Sequence, residues 1–381
     1  MSHAVIDLHC DSVYSLSAGR DLRLSNPGCH VDLPRLKKGR VGCQVFAAFV
    51  PSFLDPAAAF DFASEKLDLI DSFARSDPAL APVETAKDIR AVLGLGKTGI
   101  LPAVENGHAI GFSPGGEQES LRRLEAFRRR GVRIMTLVHG KHLPWIASAT
   151  GPGPFPRPWP GGGAGLSPFG GRVIDAMNDL GIMVDLSHSS EGAFWDVLGR
   201  SKRPVIASHS CAYALCASSR NLTDDQLKAL GGSGGVAGVN FFSVFLSETC
   251  RRRMEEDCSV LVEEAEGTEE AFRRAGTSYD DPAYRSARNR ADRRLAERLE
   301  GLEAPFSLVA DHIEYMVKTA GEDAVALGSD FDGIFAAPRG ITGCDVYPRL
   351  EEDLRRRDFS EERIEKIFSG NFLRVLEAWD R

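Results

Sequence analysis

The 381-residue sequence predicts a (β/α)8 barrel, a TIM-barrel fold, built as one domain over residues 1–381. Two observations carry that prediction. Eight short apolar, β-branched runs recur along the chain, and stretches with helical spacing lie between most of them. Near-continuous apolar strands alternating with helices indicate a parallel sheet covered by helices. Eight such units over this length fit a closed barrel; a doubly wound open sheet is the alternative. A third observation bears on function: ionisable side chains recur at the ends of these runs.

The predicted strands are Val5–His9, Val41–Phe49, Ile100–Glu105, Arg133–His139, Ile182–Ser187, Pro204–His209, Gly235–Phe241 and Ala324–Asp330. Helical spacing falls at Asp61–Ala74, Glu117–Arg130, Gly170–Leu180, Ser190–Leu198 and Leu308–Ala320. Thr150–Ser167 is rich in Pro and Gly and reads as a long loop. Residues 246–304 are charged and poor in large apolar side chains. They read as a helical insertion between the seventh and eighth strands, near the barrel mouth. Glycines 231, 232, 234 and 235 read as a loop; no GxGxxG or Walker pattern opens a helix there.

A composition of 43% hydrophobic and 26% charged residues is that of a globular protein whose core needs no disulfides. The net charge, 46 − 54 = −8, leaves no basic stripe for a nucleic-acid partner. No apolar run has the length of a membrane span, and no leader pattern precedes the first motif, so the cytoplasm is the expected location. The eight cysteines are scattered without a CxxC pair and read as reduced, mostly buried thiols.

His9, Glu105, His139, His188, His209 and Asp330 each fall at, or just beyond, the C-terminal end of a predicted strand. In a (β/α)8 barrel those ends converge on the face where active sites form. Crowded carboxylates and imidazoles raise each other's desolvation cost unless something compensates, and a pair of divalent ions does. His9 and Asp11 alternate on a strand end, so both point the same way and can grip one ion. Glu105 has two oxygens and can bridge two ions; read singly, a buried Glu paired with Arg or Lys is the preferred reading. His188 and His209 close adjacent strands, each preceded by Ser, and neutral imidazoles suit zinc. Asp330 is placed to act as general acid or base, with a turn-forming Asx residue as the alternative. His3, His30, His108 and His312 lack such placement and read as surface or structural.

The motifs resemble the renal (membrane) dipeptidase family, peptidase family M19, within the amidohydrolase superfamily. The resemblance rests on Ile6-Asp7-Leu8-His9-Cys10-Asp11, Glu105-Asn106-Gly107, Gly181 to His188 and Pro204 to Ser210. It continues through Ser219-Arg220-Asn221-Leu222-Thr223-Asp224, Gly328 to Gly333 and Gly370-Asn371. It implies two zinc ions, with His9 and Asp11 on one, His188 and His209 on the other, and Glu105 bridging. It further implies that His139 polarises the scissile carbonyl, Arg220 receives the substrate carboxylate and Asp330 is the acid/base. The implied reaction is hydrolysis of dipeptides, L,D-dipeptides among them, by a hydroxide held between the two metals. A homodimer is implied as well.

The sequence departs from the family in two places. Some members carry a tyrosine shortly after the seventh strand, where this chain reads Asn240-Phe241-Phe242-Ser243-Val244-Phe245. Beyond His139, His142 and Ala147 stand where Asn and Asp are usual. An amidohydrolase acting on N-acyl amino acids or lactams, another metal-dependent hydrolase such as a phosphoesterase, and a non-catalytic metal-binding protein remain the alternatives. Arg220 favours substrates with a free carboxylate, and Asp330 with His139 argues for catalysis.

Overall fold

A computed structural model describes residues 3–151, 164–257 and 281–380, with Gly267, Ala271, Phe272, Arg274 and Ala275 between them. Most of the predicted loop Thr150–Ser167, at residues 152–163, lies outside the described residues, as does much of the predicted insertion. Among the described residues nine strands form one sheet: β1 (Val5–Cys10), β2 (Val41–Phe49), β3 (Leu80–Pro82), β4 (Thr98–Glu105), β5 (Ile134–Thr136), β6 (Met183–Asp185), β7 (Ile206–Ala207), β8 (Val236–Val239) and β9 (Val325–Leu327). Every pairing is parallel. β2 pairs with β1 and β4, and β1 pairs with β9, so eight strands close into a ring. The fold is a (β/α)8 barrel, not an open sheet.

β3 was not foreseen. It lies outside the ring and pairs only with the start of β4, through Leu80 to Thr98 and Pro82 to Ile100. Three residues ending in proline carry no periodicity that a sequence reading could use.

Several strands are shorter than their apolar runs because side chains take over the backbone bonds at the barrel mouth. The amides of Ser187 and Ser208 donate to Asp185, at 3.0 and 2.8 Å. The amide of Ser329 donates to Asp7 at 2.8 Å. The ladder thus ends where buried carboxylates begin.

Several helices start on side-chain caps. Thr85 and Thr223 form capping boxes with Asp88 and Gln226, and Ser167 and Ser190 accept from the third residue beyond. The first long helix runs Pro56–Ala74, opening earlier than the predicted Asp61 because Asp55 caps it and Pro56 suits its first turn. Gly231 and Gly232 are corrected too: they end the helix Asp224–Gly232 and only Gly234, at φ +78°, makes the turn.

After β8 the chain forms helices Ser243–Leu246, Glu248–Asp257 and Pro282–Leu299. The last docks over segments that follow β1 and β2 at the barrel mouth. Arg285 Nη1 donates to the carbonyl of Ser17, 3.0 Å away and beyond β1, and Tyr284 meets Phe53, beyond β2, with ring centroids 5.6 Å apart. Among the described residues no helix is long and apolar enough to cross a membrane. The described cysteines are all free and buried.

Two glycines permit the barrel to close next to β7. A Cβ on Gly238 or Gly328 would collide with the Ser208 carbonyl. Gly328→Ala is therefore expected to lower unfolding stability by about 1–3 kcal/mol in a urea titration. Gly232→Ala, with open space around it, should be neutral or slightly stabilising. Equal stabilities for the two variants would contradict the packing described.

Candidate metal centre at the barrel mouth

Six strand ends, those of β1, β4, β5, β6, β7 and β9, deliver ionisable groups to a common point. His9 lies within β1 and Asp11 follows it, its amide bonded to the Phe331 carbonyl at 2.9 Å. Glu105 ends β4; next to it Asn106 takes φ +79° and donates to the Val50 carbonyl at 2.7 Å, which fixes the turn. His139, His188, His209 and Asp330 follow β5, β6, β7 and β9. His188 and Asp330 sit at φ +67° and +62°, left-handed conformations that non-glycine residues hold only where the surroundings impose them.

The side chains converge. His9 Nε2 lies 3.6 Å from Asp11 Oδ2, 3.5 Å from Glu105 Oε2 and 4.0 Å from Asp330 Oδ1. The other Glu105 oxygen lies 3.1 Å from His188 Nε2 and 3.7 Å from His209 Nε2. Those two imidazole nitrogens are 2.9 Å apart, and the His139 ring stands 4.2 Å from the His188 ring. All six positions read from strand ends, together with Asp11, are brought into one cluster.

Burial pushes the His139 pKa down to about 3, with Arg220 adding to the effect. Burial and Arg220 likewise hold His188 well below its ordinary value, and burial with His9 does so for His209. Neutral imidazoles are the state in which histidine binds metal. Burial also disfavours charge on His9, but Glu105 and Asp11 outweigh it and raise its pKa well above the ordinary value. Asp330 is pushed up to about 7, by burial and by Asp11 and Glu105, against the pull of His9.

The donor set fits a divalent cation. His9 Nε2 and Asp11 Oδ1 are buried without hydrogen-bond partners among the described residues. Three groupings at this site bring three donor atoms within 4.8 Å of one another: His9, Glu105 and His209; Glu105, His139 and His188; His9, Asp11 and Asp330. Nitrogen and carboxylate donors in such proximity suit zinc-like ions. A fourth grouping, His3, Glu351 and Glu361, lies apart. There Arg40 and Arg355 already pair with the carboxylates, which explains the cluster without an ion.

Arg220 is buried beside the cluster, and burial brings its pKa down to about 10. Its Nη2 donates to the His209 carbonyl at 3.3 Å, and it has no ion-pair partner among the described residues. Phe245 packs on the guanidinium, 5.4 Å from ring centroid to Cζ. The segment that lacks the family tyrosine thus supplies a support for Arg220. His142 accepts the Ser148 amide at 3.0 Å, so it holds the loop beyond His139.

Sequence reasoning missed the groups beneath the site. Asp7 accepts from Ser329 Oγ and Tyr347 Oη, both at 2.6 Å, and Asp185 accepts from Thr136 Oγ1 at 2.5 Å and Ser208 Oγ at 2.6 Å. Asn240 Nδ2 donates to Asp330 Oδ2 at 3.0 Å. The available signal was an aspartate inside an otherwise apolar strand, in Val5-Ile6-Asp7-Leu8 and Met183-Val184-Asp185-Leu186. Arg288, on the helix Pro282–Leu299, contributes charge felt at His139, and no sequence spacing could have linked them. The other histidines have structural partners: His30 bonds with Asp332, His108 with the Leu54 carbonyl, and His312 with the Ala212 amide and Leu246 carbonyl.

Dipeptidase 3 of Rattus norvegicus is 29% identical over 344 residues, 90% of this chain and 57% of that protein. Dipeptidase 3 of Macaca fascicularis is 29% identical over 363 residues, covering 95% and 61%. The chain therefore spans 57–61% of the length of these relatives. Among solved structures, a metallopeptidase from Rhodobacter sphaeroides bound to a phosphinate mimic of the dipeptide L-Ala-D-Ala matches with a TM-score of 0.76 at 25% identity, covering 99% of both chains. Dipeptidase AC, a metallopeptidase of family M19, matches with a TM-score of 0.77 at 27% identity over 100% of both. The family profile of the membrane dipeptidases extends from residue 1 to residue 381, and the chain belongs to that family, peptidase family M19.

Proposed function

We propose that the protein is a metal-dependent dipeptidase using two zinc ions, one held by His9 and Asp11, the other by His188 and His209, with Glu105 between them. The observation that carries this reading is Arg220, a buried guanidinium without an ion-pair partner among the described residues, beside a cluster of metal donors. A small substrate with a free carboxylate satisfies that arginine, whose planar fork matches a carboxylate. The phosphinate dipeptide mimic bound by the Rhodobacter sphaeroides relative supports the same substrate class. Two ions per chain, zinc as the metal and a homodimer complete the proposed active form.

Bound ions would supply Lewis acidity and lower the pKa of a water held at the site. The chain's own residues do the rest. Arg220 fixes the substrate carboxylate. His139, kept neutral by burial, donates a hydrogen bond to the scissile carbonyl as negative charge develops there. Asp330, steadied by Asn240, takes a proton from the attacking water and returns it to the leaving amine. Helix Pro282–Leu299 helps to wall the mouth from bulk water, through its contacts at Ser17 and Phe53.

An amidohydrolase for N-acyl amino acids shares the carboxylate that Arg220 favours. A panel of L,L- and L,D-dipeptides and acyl amino acids separates the two: turnover of acyl amino acids alone would exclude the dipeptidase reading. Full metal occupancy without turnover of any would leave a non-catalytic metal-binding protein.

Three outcomes are expected of variants. His188→Ala or His209→Ala loses bound metal and activity together, read by elemental analysis and initial rates. Asp330→Asn keeps its metal and loses about 10²–10⁴-fold in kcat. Arg220→Met loses about 2–5 kcal/mol of transition-state binding, roughly 30-fold or more in kcat/KM, for free dipeptides. The same variant should lose little on C-terminally amidated substrates. An equal loss on both would show that Arg220 does not meet the carboxylate.

A further inference from the structure

Asp185 is fully buried at the last position of β6 and forms no ion pair among the described residues. Hydrogen bonds compensate it instead. It accepts from Thr136 Oγ1 (2.5 Å), the Ser187 amide (3.0 Å), the Ser208 amide (2.8 Å) and Ser208 Oγ (2.6 Å). Ser208 Oγ also lies 2.8 Å from His209 Nδ1.

Counting protons decides the direction of this chain. A hydroxyl has one proton, and a carboxylate only accepts. Ser208 gives its proton to Asp185, so its contact with His209 requires the imidazole to donate from Nδ1. His209 Nε2 then carries a lone pair. That atom is the one facing Glu105 Oε1 at 3.7 Å and His188 Nε2 at 2.9 Å. We propose that Asp185, acting through Ser208, is a positioning residue that locks His209 in its Nδ1–H tautomer and keeps Nε2 available as a metal donor.

The inference rests on the reading of His209 as a metal ligand. It is particular to that histidine. His188 Nδ1 is buried with no hydrogen-bond partner among the described residues. Asp7 holds Ser329 by amide and hydroxyl in the same two-bond pattern, but that serine contacts the His9 carbonyl at 3.4 Å, not its ring. The relay therefore governs the ion at His209 and not the whole site.

Asp185→Asn discriminates this account from a merely structural one. The amide has nearly the shape of the carboxylate but donates where the carboxylate accepts. Its NH2 group would donate to Ser208 Oγ and turn the serine proton onto His209 Nδ1. His209 would then carry its own proton on Nε2, where the metal should bind.

The experiment reads the ring nitrogens of His209 by 15N-resolved NMR in metal-free protein, at a pH where the ring is neutral. Zinc affinity is measured in parallel by chelator competition, with circular dichroism as the folding control. Wild type should show Nδ1–H, and Asp185→Asn should show Nε2–H. Asp185→Asn and Ser208→Ala should each weaken one zinc site about 10–100-fold, while Ser208→Thr, which keeps the hydroxyl, stays close to wild type. Nε2–H in the wild-type ring, or wild-type zinc affinity in Ser208→Ala, overturns the proposal. Should Asp185→Asn fail to fold, the wild-type tautomer and Ser208→Ala still decide it. A wild-type protein that binds no zinc would overturn the metal reading separately, leaving the tautomer measurement to judge the relay.

Discussion

The structure turns on an excess of buried negative charge at the barrel mouth. Asp11, Glu105 and Asp330 crowd around His9, and among the described residues neither arginine nor lysine forms an ion pair with them. In a low-dielectric setting such a cluster is costly unless positive charge enters it. The raised pKa values of His9 and Asp330 express that demand in protons. A divalent cation meets it better, because it satisfies several oxygens at once together with His9 Nε2, which has no hydrogen-bond partner among the described residues.

The barrel makes that crowding possible. Its closed ring leaves no edge, and parallel strands bring eight C-terminal ends to one face. Beneath the site, Asp7 and Asp185 replace strand ladder bonds with carboxylate bonds to Ser329 and Ser208. Each pinned serine precedes a site residue, Asp330 in one case and His209 in the other. The last turn before the chemistry is thereby rigid, as a preorganised site requires. Glycines at 238 and 328 allow the neighbouring strands to approach the Ser208 backbone closely enough for this packing.

Much of this was legible in the sequence, for identifiable reasons. All eight ring strands announce themselves because parallel barrel strands are buried on both faces and read as apolar runs. His9, Glu105, His188 and His209 stand out together, because a lone ionisable residue closing such a run is commonly structural but several on strands that converge are costly without a shared ion. β3 escaped because three residues hold no pattern, and Gly231 and Gly232 misled because glycine also ends helices. Asp7 and Asp185 were visible only as letters within motifs, since their role depends on which strands become neighbours. Arg288 and Tyr284 reach the mouth from far along the chain, a relation that only tertiary packing creates.

In the proposed active form, Glu105 would stand between two ions with distinct ligand pairs. Anomalous diffraction from crystals of the zinc-loaded protein, collected on both sides of the zinc absorption edge, tests it most directly. Two peaks are predicted, one against His9 and Asp11 and one against His188 and His209, each touching an oxygen of Glu105. A single peak, or zinc bound without Glu105 in a fully active protein, would contradict the account.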